Sequence, residues 1–311
     1  MVIGNNMNEL VNNLKNLELE TLKNLKNSKA SNTLRAYESD YKDFSAFCVK
    51  NNFSSLPADP KILSLYLTHL SKTSKFSTLK RRIASISVIH KLKGYYIDTK
   101  HPIIRENLLG IKRKKGSNQK AKKPILINDL KQIIDVINTL KIREIRQVRD
   151  KALILIGFAG GFRRSELVAL ENEDVEFVRE GVKIFVKRSK TDQSGEGMTK
   201  AIPSFDKTSY CPVLHLQDWM AKGKSTNNKI FPISDKGVAL IIKKYANLAG
   251  LNGDMYSGHS LRSGFATSTA ESGAEERNIM AMTGHKTTQM VRRYIQEANL
   301  FKNNALNKIK I

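Results

Sequence analysis

The chain has 311 residues, with 53 Lys or Arg against 29 Asp or Glu, giving a formal net charge of +24. An excess of that size implies a polyanionic partner, since self-repulsion alone would only destabilise a compact state; DNA, RNA and an anionic membrane surface all meet that description. A hydrophobic share of 40% is enough for a real core, and the length suits two domains. No apolar run approaches the roughly 20 residues that span a bilayer. The opening MVIGNNMNEL lacks the charged start and apolar centre of a signal peptide. Cys48 and Cys211 lie far apart without CxxC spacing, which argues against a disulfide framework or a cysteine-based zinc site and fits a reducing cytoplasm.

Residues 1–30 carry Leu10, Leu14 and Leu17 at helical spacing, a narrow apolar stripe on an N-terminal helical extension. A stronger helix is predicted over 31–49, capped by Ser31 or Asn32, with Leu34, Tyr37, Tyr41, Phe44 and Cys48 on one face. A second starts near Pro60, with Ile62, Leu63, Tyr66, Leu67 and Leu70 inward. A third, capped by Ser77, buries Leu79, Ile83, Ile86 and His90 and sets Lys80, Arg81 and Arg82 on the opposite, outer side. A short fourth helix covers 102–111. Residues 31–111 thus read as a small helical domain with a basic face.

The stretch 112–123, KRKKGSNQKAKK, holds seven Lys or Arg and no acid. It reads as an exposed basic linker whose Lys112, Arg113, Lys114 and Lys115 track a phosphate backbone. A second domain, 124–311, begins near Pro124. Helices are predicted at 128–138, 147–159, 164–170, 212–222, 235–249, 260–272, 275–282 and 287–295. Between 175 and 203 the pattern changes to period two: Val182, Ile184 and Val186 alternate with polar residues after a turn at Glu180-Gly181, the mark of a small antiparallel sheet. Leu300, Ala305, Leu306 and Ile309 suggest a final helix.

Four local patterns in the second domain have chemical potential: GFRRSEL around Arg163; RSKTD around Lys190; HSLR, with His259 and Arg262; and Gly284-His285, followed nine residues later by Tyr294. Each alone is weak, because HxxR pairs, loop lysines and half-buried tyrosines are common. Their order is more telling. Arg, a sheet-region Lys, His-x-x-Arg, Gly-His and Tyr, in that succession, resemble the tyrosine recombinases of the phage integrase family. GFRRSEL resembles the family's first arginine box, YSGHSLRSGFAT its second, and MTGHKTTQMVRRY its last. The likeness covers about residues 31–311 and is nearest to the simple recombinases of the Cre and Xer kind. Phe162 and Thr283 depart from the commoner Leu or Met and Leu of the family; neither is expected to touch a catalytic group.

The resemblance implies a mainly α fold with a small antiparallel sheet, a helical core-binding domain followed by an α+β integrase-type catalytic domain. It implies that Tyr294 attacks a DNA phosphate, that Arg163, Arg262 and His285 hold that phosphate, that Lys190 protonates the leaving 5′-hydroxyl and that His259 is the acid–base partner near Tyr294. Glu166, one turn after Arg163, would orient Arg163 or His259. The product would be a 3′-phosphotyrosine, resealed by a second hydroxyl without metal, ATP or other cofactor. The implied partners are double-stranded DNA with an inverted-repeat site and three further copies of the chain on that DNA, the free protein being a monomer or weak oligomer. Two other readings remain: a type IB topoisomerase-like enzyme, and a DNA-binding protein of the same fold without catalysis, which would be expected to lack a catalytic residue.

Overall fold

The computed structural model describes residues 16–17, 20, 24, 31–116, 122–189, 192, 195–205, 209–223, 228–298 and 305–309. The chain folds as two compact units, Met1–Lys120 and Ala121–Ile311. Leu10, Leu14, Lys190, Leu300 and Phe301 lie outside the described residues, as does most of the expected N-terminal extension.

Among the described residues of the first unit from 31 onward, helices α1 (Ser31–Lys50), α2 (Pro60–Ser71), α3 (Phe76–Leu92) and α4 (Pro102–Lys115) surround one core. Phe44, Cys48, Leu63, Tyr66, Leu67, Leu79, Ile86 and Ile104 are buried together. Pro60 opens α2 with its fixed φ, and the Asp59 carboxylate accepts from the Lys61 backbone N–H at 2.6 Å. Helix α3 begins one residue before Ser77, and its cap, Lys75, makes no side-chain cap bond.

Two expectations about this unit change. Arg82 does not stand on the outer face. It pairs with Asp40 at 3.2 Å and Asp43 at 3.1 Å, and its side chain is 15% exposed. Position 82 follows buried Leu79 by three residues and precedes buried Ile86 by four, so it borders the inward stripe of α3. The buried Asp40 carboxylate requires such partners, and Arg81 and Ser85 supply the others. Lys80 and Arg81 remain exposed. The second change concerns Lys112–Lys115, which form the last turn of α4 and not a linker. Lys and Arg are good helix formers, and their charge is favoured at a helix C-terminus.

The second unit contains α5 (Ile127–Thr139), α6 (Glu144–Ala159), the single turn α7 (Arg164–Leu167), β1 (Val175–Val178), β2 (Gly181–Val186), β3 (Met198–Pro203), α8 (Pro212–Lys222), α9 (Asp235–Leu248), α10 (His259–Glu271), α11 (Glu276–Thr283) and α12 (Thr288–Ala298). The sheet is antiparallel in the order β1-β2-β3, with a tight turn pairing Val178 with Gly181. Val182, Ile184 and Val186 point into the core, as their alternation requires. Helix α6, apolar almost all round from Ala152 to Phe158, runs through the middle of that core. Helix α7 is shorter than the predicted 164–170, because the chain leaves helix after Leu167 to bury Leu170. Among the described residues no helix is long and apolar enough to cross a membrane.

Candidate active site

The end of α6 delivers the first arginine. Gly161 has φ +54, a left-handed conformation that turns the chain out of the helix. A Cβ there would also press on Phe265 and Thr283 at 3.0 and 3.2 Å. Arg163 follows as the cap of α7, and Glu166 holds it twice. One Glu166 carboxylate oxygen accepts from the Arg163 backbone N–H at 2.9 Å, the other from the Arg163 guanidinium at 2.6 Å. Glu166 is buried, so both bonds form where water competes little.

Helix α10 delivers the second pair. His259 is its first residue and is exposed; Arg262, nearly one turn on, is fully buried. Arg262 donates through Nη1 to the Gly161 carbonyl at 2.8 Å, and its Nη2 lies 3.2 Å from Nε2 of His285. The two arginine boxes are thereby joined directly. Glycines permit the packing of α10 on both sides: a Cβ at Gly157 of α6 would lie 2.8 Å from the Leu261 side chain, and one at Gly264 would lie 1.9 Å from the Ile125 carbonyl oxygen. Burial, then the charge of Arg163, lowers the Arg262 pKa to about 10, against the opposing pull of Glu166 and Tyr294.

The third segment is the end of α11. Gly284 closes that helix in the left-handed region and His285 follows, its ring centre 6.2 Å from that of Tyr294 on α12. Burial, then the charges of Arg262, Arg163, His259 and Lys200, lower the His285 pKa to about 4, so its imidazole is neutral at ordinary pH. Tyr294 is 8% exposed and packs with Ala266, Ile279 and Val291 between α10, α11 and α12.

The structure thus brings together Arg163, Glu166, Arg262, His285 and Tyr294, and sets His259 at the start of the helix that carries Arg262. Lys190 lies outside the described residues, in the β2–β3 connection. Within that connection the Asp192 carboxylate accepts the backbone N–H groups of Gly195, Glu196 and Gly197 at 2.9 to 3.2 Å, and so serves as a turn residue.

Two residues escaped the sequence reading. Lys200 on β3 is fully buried and donates to the carbonyls of Gly160 and Met282, so that one ammonium joins the segment before Arg163 to the segment before His285. Its Nζ also sits 4.9 Å from the centre of the Phe162 ring. Burial lowers its pKa to about 7; Glu166 opposes this, and Arg262 and Arg163 add to it. The available signal was its register: Lys200 pairs with Ile184 and falls between Met198 and Ile202 on the inward face, where a lysine needs an explanation. The second is Thr283, whose Oγ1 lies 2.7 Å from Nδ1 of His285. The expectation that it touches no catalytic group is overturned.

Chemically, the Arg163 and Arg262 guanidinium groups and the buried Lys200 ammonium lie near Glu166 and near one another, with the His285 ring against Arg262. Such a cluster suits a bound anion and transition-state charge on phosphate oxygens.

Residues 125–300 match the phage integrase family. The chain is 40% identical to an integrase/recombinase XerD homologue of Selenomonas ruminantium, over 97% of this chain and 92% of the relative. It is 26% identical to the tyrosine recombinase XerD of Staphylococcus epidermidis, over 84% and 87%. Among solved structures it is similar to XerH recombinase in a post-cleavage complex with its palindromic difH substrate, with a TM-score of 0.59, 17% identity and coverage of 79% of this chain and 73% of that one. A lambda integrase dimer bound to a core site gives the same TM-score and identity over 94% and 98%. The chain belongs to the phage integrase family. It is a tyrosine recombinase, an enzyme of site-specific DNA recombination, and its mainly helical fold with one small antiparallel sheet is the fold of those relatives.

Proposed function

We propose that Tyr294 is the nucleophile of strand cleavage and that Arg163 and Arg262 hold the scissile phosphate. The Tyr294 oxygen bonds to phosphorus, the bond from phosphorus to the 5′-oxygen breaks, and the departing oxygen takes a proton from Lys190. The tyrosine proton passes to His259, an imidazole being a side chain able to accept a proton near neutral pH. The 3′-phosphotyrosine ester keeps the energy of the broken bond, so a second 5′-hydroxyl reverses the same steps on a new strand. No metal or nucleotide is consumed.

The observation that carries this reading is the joint anchoring of Arg163 and Arg262. Glu166 holds the first, Gly161 and His285 hold the second, and both guanidinium groups are in place before any phosphate arrives. Preorganised donors of this kind contribute to catalysis because they need no rearrangement in the transition state.

The DNA partner carries an inverted-repeat site, and four copies of the chain act on two such sites, the free protein being a monomer or weak oligomer in the cytoplasm. Leu306 and Ile309, 63% and 60% exposed, fit docking of the C-terminal segment on a neighbouring copy. Residues 31–111 form the core-binding domain and 124–311 the catalytic domain. Lys80, Arg81 and Lys112–Lys115 contact phosphates; Arg82 contributes through its support of Asp40.

The test is to incubate the full chain with sheared DNA of the source genome and with duplexes from the flanks of its own coding region, then denature. A covalent protein–DNA adduct at particular sequences supports the reading. Rapid relaxation of a supercoiled plasmid at many sequences would instead favour a type IB topoisomerase, and specific binding without any adduct a non-catalytic DNA-binding protein.

A further inference from the structure

Thr283 occupies the last position of α11, two residues before His285, and is fully buried. Its hydroxyl has two neighbours: the Ile279 carbonyl at 2.5 Å and Nδ1 of His285 at 2.7 Å. A hydroxyl has one proton and two lone pairs. The Ile279 carbonyl can only accept, so the threonine proton lies on that side, in the back-bond to residue i−4 that threonines make in helices. The Thr283 oxygen therefore faces Nδ1 with a lone pair, and Nδ1 must carry the hydrogen. The other side of the ring gives the same answer independently. Arg262 Nη2 is 3.2 Å from Nε2, and a guanidinium has donors only, so Nε2 must be the bare, accepting nitrogen.

We propose that Thr283 is a positioning residue that fixes His285 as the Nδ1–H tautomer, leaving Nε2 turned toward Arg262 and the phosphate clamp. The proposal deepens the recombinase reading and rests on it for its catalytic meaning. In the free protein Nε2 accepts from Arg262 and helps to hold that guanidinium in place. With Nδ1–H already committed to Thr283, any proton the ring gains can go only to Nε2. His285 then becomes a donor on the side of the clamp, where a phosphate would lie. Loss of the threonine oxygen would free the ring to place its hydrogen on Nε2, toward a guanidinium that has no acceptor to offer, and the His285–Arg262 bond would break.

The experiment uses the full-length protein labelled with 15N-histidine, with the His285 signals assigned by comparison with His285→Gln. Long-range 1H–15N spectra at neutral pH separate the two tautomers. Wild type and Thr283→Ser are expected to show Nδ1–H at residue 285, and Thr283→Val is expected to show Nε2–H or a mixture. A wild-type spectrum of the Nε2–H form overturns the proposal without recourse to any variant. So does an unchanged Nδ1–H spectrum in Thr283→Val, or in Thr283→Ala should the valine variant fail to fold. In adduct formation, Thr283→Val should lose about tenfold while Thr283→Ser stays near wild type. Equal rates for the two would also overturn the role. Failure of the recombinase reading itself would appear elsewhere, as no Tyr294-dependent adduct with the wild-type tautomer intact.

Discussion

Glu166 grips Arg163 at two points, the backbone N–H at 2.9 Å and the guanidinium at 2.6 Å, and so sets both where the chain turns and where the arginine aims. Glu166→Gln keeps the size but loses the charge, and its single amide oxygen can accept from only one of the two Arg163 donors. A charge-assisted bond of this kind contributes about 1.5–3 kcal/mol, so cleavage at saturating DNA should slow about 10- to 100-fold. Binding to the same DNA should change little. The ratio of adduct rate to equilibrium binding checks this; equal losses in both would contradict an orienting role.

Lys200→Met should weaken the catalytic unit more than an ordinary surface change. It leaves the Gly160 and Met282 carbonyls without their buried donor, at a cost of about 1–3 kcal/mol each, offset in part because no ammonium need then be desolvated. Urea unfolding should show a lower midpoint with an unchanged slope, and the loss should exceed that of Lys183→Met, an exposed lysine on β2.

The depressed His285 pKa predicts a pH dependence of stability. In the folded protein the ring stays neutral down to about 4, whereas in the unfolded chain it takes a proton near the ordinary 6.5. Between those values the unfolded state binds more protons, so stability falls as pH drops through that window. His285→Gln removes this contribution. The difference in unfolding free energy between wild type and variant should therefore change from pH 7 to pH 4, in the direction that disfavours wild type in acid. A constant difference across the window would show that the ring is not held neutral.

The basic residues of α3 should separate into two kinds. Lys80→Ala should weaken DNA binding at all sequences and reduce the salt dependence by about one phosphate contact, with no change in melting temperature. Arg82→Ala should lower the melting temperature, because Asp40 is buried and loses a cation. Salt titrations and thermal melts on the two variants decide the matter.

Much of this organisation was legible in the sequence, for identifiable reasons. The helices of the first unit announce themselves through apolar stripes such as Leu63, Tyr66 and Leu67, and β2 through the alternation of Val182, Ile184 and Val186. Arg163, Arg262, His285 and Tyr294 were legible because each sits in a short local pattern and the patterns come in a characteristic order. What escaped is tertiary. Nothing near residue 82 reveals that Asp40, two helices earlier, will claim its guanidinium. Nothing in the run of lysines marks Lys200 except the inward register of its strand. Thr283 looked like a neutral replacement because its importance lies in a hydroxyl lone pair placed against His285, a matter of geometry that composition does not express. The end of α4 was misread because a dense basic run resembles a linker in composition and yet suits the C-terminal turn of a helix.

The most direct measurement is the chemical identity of the covalent adduct. Adducts formed on sheared source-genome DNA should be trimmed with nuclease and protease, and the nucleotide-bearing peptide sequenced by mass spectrometry. The expected result is a phosphodiester on Tyr294 joined to a 3′-oxygen, absent from Tyr294→Phe. An adduct on another residue, a 5′-linked nucleotide, or equal adduct in Tyr294→Phe would contradict the account.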